Sequence, residues 1–163
     1  MADADCSDPQ ALVEISFTRL AEQRGDVTAD VIDRYYRHFP GVEESFAHHG
    51  MSDVAELEGR MVTATIFMLM QWVENPNATK IEQGTTIVHH QDVLVIGPLW
   101  YAGLVDVVLA VLLETVPDDC PNEHAFWRAI REDIISFIDG VRAEFWRQED
   151  DGPIPAFDPG KLV

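Results

Sequence analysis

The residues best able to do chemistry in this chain are its histidines, and four of the six stand in two adjacent pairs, His48-His49 and His89-His90. A neutral imidazole is the commonest metal ligand among side chains, binding through the ring nitrogen that lacks the proton. Neighbours on a helix point about 100° apart, so a given pocket can take only one member of a pair. Other chemistries lack their residues. The chain has no GxSxG around a serine nucleophile, no HExxH and no glycine-rich phosphate loop. Its two cysteines, Cys6 and Cys120, form neither CxxC nor a Cys/His zinc spacing. No disulfide framework is expected, and a reducing cytoplasm is the expected setting.

The 163 residues suit one domain, and 47% of them are apolar, enough for a core without a structural metal. The formal charge of −18 repels phosphate backbones and anionic lipid, which disfavours nucleic acid and membrane partners. It reads chiefly as a solubilising surface, with a basic reductase or signalling protein as the other reading, and it leaves a homodimer open. Residues Met1–Asp8 show no basic segment followed by an apolar run, so no targeting signal is expected. Met61–Val73 is too short to span a bilayer, and Val93–Val116 carries Pro98, Asp106 and Glu114, so both read as core helices.

Breakers divide the chain into helices. Asp8-Pro9 opens a first helix ending at Gly25. Thr28 begins a second that stops at Pro40-Gly41, and Val42–Phe46 forms a corner before a His48-His49-Gly50 loop. After the Ser52-Asp53 cap, Leu57, Met61, Ala64, Thr65, Met68 and Trp72 recur at steps of three and four, marking one face of a helix that ends at Asn75-Pro76-Asn77. Thr79–His90 predicts a short polar helix. Leu99–Val116 is apolar nearly all round and therefore central. Glu123–Arg147 predicts a long last helix bearing Phe126, Trp127, Ile130, Ile134, Phe137 and Ile138. The clusters Asp33-Arg34, Glu43-Glu44 and Arg131-Glu132-Asp133 read as solvated charges. The expected class is all-α, with about seven helices over residues 1–148 and a Pro-rich tail, 149–163, that is extended or disordered.

Three segments, taken together and in order, resemble the globin family over residues 10 to 147. In the run Val31 to Phe46, a helix ends at Pro40 and a phenylalanine follows six residues later, as in the corner where that family packs a phenylalanine on haem. Trp100 stands ten residues after His90, at the start of the long apolar helix, where globins place an aromatic residue after the iron-binding histidine. Trp127 is similar to the tryptophan that opens the last helix of bacterial single-domain globins and of the globin domain of flavohaemoglobins.

The resemblance implies a globin-like fold and a haem b group, with His90 as the iron ligand and His89 as its rival. Phe46 would lie against the porphyrin. Leu57, Met61, Ala64 and Met68 would line the distal side, and Ile96, Trp100, Tyr101, Leu104 and Phe137 would close the proximal side. The family usually has a leucine or isoleucine four residues before the ligand, where this chain has Thr86. The register puts Leu57 at the distal position and Ile32 at the corresponding place on the second helix, and neither donates a hydrogen bond. Tyr36, His48 and His49 are the polar substitutes, one loop histidine being able to reach the iron as a sixth ligand. The implied function is reversible binding of a diatomic gas (O₂, NO or CO) for transport, sensing or detoxification. Enzymatic NO or O₂ chemistry would need a separate reductase. The competing readings are a haem-free globin-fold sensor or interaction module and an unrelated helical bundle.

Overall fold

Prolines and short polar caps start the helices. The computed structural model describes residues 8–145 and 152–163, and the expectations for Cys6 and for the helix end at Arg147 fall outside them. Seven α-helices follow in order: α1 (Pro9–Arg24), α2 (Thr28–His38), α3 (Val42–Gly50), α4 (Val54–Glu74), α5 (Pro76–Asp92), α6 (Pro98–Leu113) and α7 (Pro121–Phe145), with a 3₁₀ turn at Pro159–Leu162. Among the described residues there is no strand, and no helix is long and apolar enough to cross a membrane. The Asp8 carboxylate accepts from the Gln10 amide, and Asp53 accepts from Glu56, satisfying amides that the first turns of α1 and α4 leave unpaired. Asn75 ends α4 and caps α5 by accepting from Ala78, so α5 starts at Pro76, earlier than Thr79.

The core is built around α6, which is buried along nearly its whole length and so carries no polar face. It packs against α2, α4 and α7. At Gly103 a Cβ would lie 2.4 Å from the Phe39 ring, so only glycine lets the end of α2 approach α6 this closely. The α1–α7 contact is polar at its centre. Trp127 Nε1 donates to Ser16 Oγ (2.9 Å), Ser16 donates to Glu123 (2.5 Å), and Arg19 pairs with the same carboxylate (2.9 Å).

Two sequence expectations are corrected and a third is narrowed. His48, His49 and Gly50 continue α3 and are not a loop. Of the tail, expected to be extended or disordered, the described residues 152–158 form no helix or strand, and Ile154, Phe157 and Leu162 pack onto the core, with the Arg128 and Arg131 guanidiniums over the Phe157 ring and Arg131 donating to the Pro155 carbonyl (2.8 Å). Two of the supposedly solvated charges are buried. Arg34 pairs with Asp30 and Glu114, and Arg131 is 2% exposed in a bidentate pair with Asp106, at 2.9 and 3.0 Å. Burial opposes the Arg131 charge, but the Asp106 and Glu132 carboxylates together more than offset it and raise the arginine's pKa. Burial in turn pushes the Asp106 carboxyl up against the pull of Arg131.

Candidate functional site

Five helices and one loop converge on a cavity of about 240 Å³. Tyr35 of α2 and Phe46 of α3 close one side. Met61, Ala64, Thr65 and Met68 form the α4 wall, at the three- and four-residue steps of a single helix face. Glu82, Gln83, Thr86 and His90 form the α5 wall. Ile96 enters from the loop, and Tyr101, Leu104 and Val105 supply the floor from α6. The structure thus brings together His90, Phe46, Met61, Ala64, Met68, Ile96, Tyr101 and Leu104 of the residues singled out in the sequence.

Leu57, Trp100 and Phe137 are not among the residues lining this cavity. Leu57 lies one turn before Met61, next to Gly50 of α3, and Trp100 packs its ring over Gly41. The Phe137 ring sits edge-on to Trp72 (5.6 Å) and faces a separate groove between α5 and α7. The polar candidates are also placed. Tyr36 donates to Glu58 (2.6 Å), His48 and His89 are exposed, and His49 is half-buried.

His90 has the chemistry of a metal ligand. Its Nδ1 lies 2.7 Å from the Thr86 carbonyl oxygen, one turn back. A carbonyl can only accept, so Nδ1 carries the proton and Nε2 keeps its lone pair. This is the outer hydrogen bond that fixes tautomer and ring orientation in metal-binding histidines. The Tyr101 ring stands edge-on against the imidazole at 5.6 Å, and its hydroxyl is held by Gln83 Oε1 (2.6 Å). Burial pushes the Tyr35 and Tyr101 hydroxyls up, so both remain protonated donors, Tyr35 to the Trp100 carbonyl (2.5 Å).

Comparison with protein-family models, curated proteins and solved structures finds no match.

Burial holds the His90 pKa below its ordinary value of 6.5, with smaller depressions from the charges of His89 and His49 and an opposing pull from the Thr86 carbonyl. The ring stays neutral, as metal ligation requires. Above about pH 6.5 neither the folded nor the unfolded chain binds a proton here, and below it the unfolded chain binds one first, so stability falls on acidification. Urea unfolding should therefore weaken more steeply as the pH falls below about 6.5 in the wild type than in His90→Gln. Parallel curves would remove His90 as the source of the slope.

Tyr35, Thr65, Glu82, Gln83, Thr86 and Val105 are cavity residues that the sequence reading did not select. Helical spacing carries the signal for most of them. Thr65 sits four residues after Met61, and Thr86, Gln83 and Glu82 fall four, seven and eight residues before His90. A search for apolar side chains passes over them.

His90 offers the one donor that a haem iron would need, but the cavity as it stands is too small to enclose a porphyrin. One neutral, anchored imidazole faces a slot whose α4 wall is largely thioether and aliphatic. The volume is smaller than the roughly 300–1,000 Å³ typical of small-molecule pockets. The exposed Ala64 marks the edge at which the α4 wall meets solvent.

Proposed function

We propose that this chain is a globin-type haem protein that reversibly binds a diatomic gas, with His90 holding the iron. The observation that carries the reading is the His90 Nδ1–Thr86 carbonyl hydrogen bond at 2.7 Å, which presents Nε2 as a lone pair beside an apolar cavity. Bound haem supplies an open iron position for the gas. The chain's own residues do the rest. His90 binds, Tyr101 steadies its ring, and Phe46, Met61, Met68, Ile96 and Leu104 exclude water. Entry of a porphyrin requires α4 and α5 to part, with Ala64 on the yielding edge.

The α2 and α4 sides offer a bound gas no uncommitted donor. The Thr65 hydroxyl is spent on the Met61 carbonyl (2.9 Å) and the Tyr35 hydroxyl on Trp100. Bound O₂ gains most from a hydrogen bond and CO least, so the wall favours CO. Loss of one such bond to a polarised ligand is worth about 1.5–3 kcal/mol, roughly ten- to a hundredfold in affinity. Equilibrium binding of both gases to the ferrous protein tests this. CO should bind much more tightly than O₂, and a preference for O₂ would contradict the wall as described. Weak O₂ retention also argues against storage, and NO dioxygenation would need a separate reductase as a partner.

The cavity's small volume favours a second reading, in which the same fold is a haem-free sensor or interaction module. A protein that stays colourless after addition of haemin would select it.

A further inference from the structure

Every hydroxyl on the cavity wall has already spent its proton inside the fold. Tyr35 donates to the Trp100 carbonyl, Thr65 to the Met61 carbonyl, Thr86 to the Glu82 carbonyl (3.1 Å) and Tyr101 to the Gln83 side chain. The His90 Nδ1–H goes to the Thr86 carbonyl. What these groups keep for a guest is lone pairs, and the Gln83 amide alone among the lining side chains retains N–H donors. No lysine or arginine lines the cavity, and the formal charge of −18 repels anions as well, so a carboxylate guest would be buried without a counter-charge. A cation meets one. Glu82, Thr86 and His90 follow one another at steps of four along one face of α5, and Glu82 is exposed where the cavity opens. Its carboxylate has no hydrogen-bond or ion-pair partner among the described residues. The space behind it, about 240 Å³, exceeds the roughly 150 Å³ of an apolar cavity that takes up a benzene ring, which leaves room for a short chain.

We propose that the haem-free cavity binds a small arylalkyl ammonium ion, its ring among Phe46, Met61, Met68 and Leu104 and its charged head on the Glu82 carboxylate. The ring is removed from water, while the head stays at the solvent edge and makes charge-assisted hydrogen bonds with Glu82. Such a guest fits the volume as it stands and needs no parting of α4 and α5. The inference concerns the chain before haem enters and so goes beyond the gas-binding reading. Haem and the ammonium fill the same space and exclude one another.

The test is isothermal titration of the haem-free chain with phenethylammonium, with hydrocinnamate, which carries the opposite charge on a similar body, and with both in Glu82→Gln and Glu22→Gln. Both glutamates are exposed, and Glu22, on α1, is no part of the cavity wall. Phenethylammonium should bind at one per chain, and hydrocinnamate should bind about tenfold more weakly or not at all. Glu82→Gln should weaken the ammonium about tenfold or more, while Glu22→Gln, which removes the same charge, should leave it unchanged. Absence of ammonium binding, equal binding of the two ions, or equal losses in the two variants overturns the proposal. Where haemin binds, it should expel the ammonium, and simultaneous occupancy also overturns the proposal. Failure of haemin to bind, read separately from its absorption spectrum, overturns the haem reading and leaves this one standing.

Discussion

Replacing His90 with alanine should abolish stoichiometric haem binding, whereas His89→Ala should retain it. The two residues are adjacent, so charge, helix propensity and distance from the cavity differ little between the variants. What differs is direction. His90 lines the cavity with its Nδ1 tied to Thr86, while His89 is exposed. If His90 holds the iron, its loss removes the one ligand that α5 would supply, and a loss of affinity on the order of a hundredfold or more is expected, the upper end of what disturbing even an outer partner of a ligand costs. Titration with haemin, followed by the Soret band, reads both variants. In a His90→Gly chain, added imidazole should restore the band, because the cavity walls persist. Equal binding by His90→Ala and wild type would contradict the assignment, as would loss confined to His89→Ala.

The second large effect lies in the core, away from the site. Arg131→Met should destabilise the fold by about 3–5 kcal/mol, because it leaves the Asp106 carboxylate buried without its cation. Both side chains are almost wholly buried, at 2% and 8% exposure, and the pair is bidentate. The same substitution frees the Pro155 carbonyl and removes one of two guanidiniums over Phe157, so the tail loses hold of α7 as well. The double variant Asp106→Leu, Arg131→Met should recover most of the loss, since apolar groups of similar size can replace a buried pair at little cost. Urea unfolding of the two single variants and the double variant gives the coupling. A loss below about 1 kcal/mol in Arg131→Met would show that the pair contributes no more than a surface contact.

Much of this was legible in the sequence because helix boundaries are local. Asp8-Pro9, Asp53 and Asn75-Pro76 act on the amides next to them, and the apolar periodicity of α7 reports burial directly, whereas on α4 the fold buries Val62 and Leu69 beside Met68 and Trp72 and leaves Ala64 exposed. The all-round apolarity of Leu99–Val116 placed α6 at the centre for the same reason. Misreadings arose where polarity and burial part company. Asp106 interrupts an otherwise apolar helix, and Arg131 falls on the same stripe as Trp127, Ile134 and Ile138. A lone carboxylate in such a run demands a buried cation, and helical register names Arg131 as the one available on α7. Composition alone makes Arg131 look solvated.

In the cavity, the sequence yielded His90 and most of the apolar lining but could not fix the rotation of each helix to better than a turn. Leu57 and Met61 lie on one stripe, and which of them heads the α4 wall depends on how α3 packs against α4. Phe137 faces Trp72 because α7 meets α5 on the far side from the cavity, a tertiary fact with no local signature. His48 and His49 look equivalent as a pair, whereas in the fold His48 is exposed and His49 is half-buried with its Nδ1 on the Ser45 carbonyl. The tail has three prolines, which predict irregular backbone. What holds it is Arg131 and Arg128, two arginines of α7 distant in sequence.

The decisive measurement is a titration of the purified, haem-free chain with haemin. Saturation at one haem per chain, with a sharpened Soret band and an imidazole-ligated ferrous–CO spectrum, is the outcome expected if His90 carries iron in this cavity. A spectrum that remains that of unbound haemin at every ratio would contradict it.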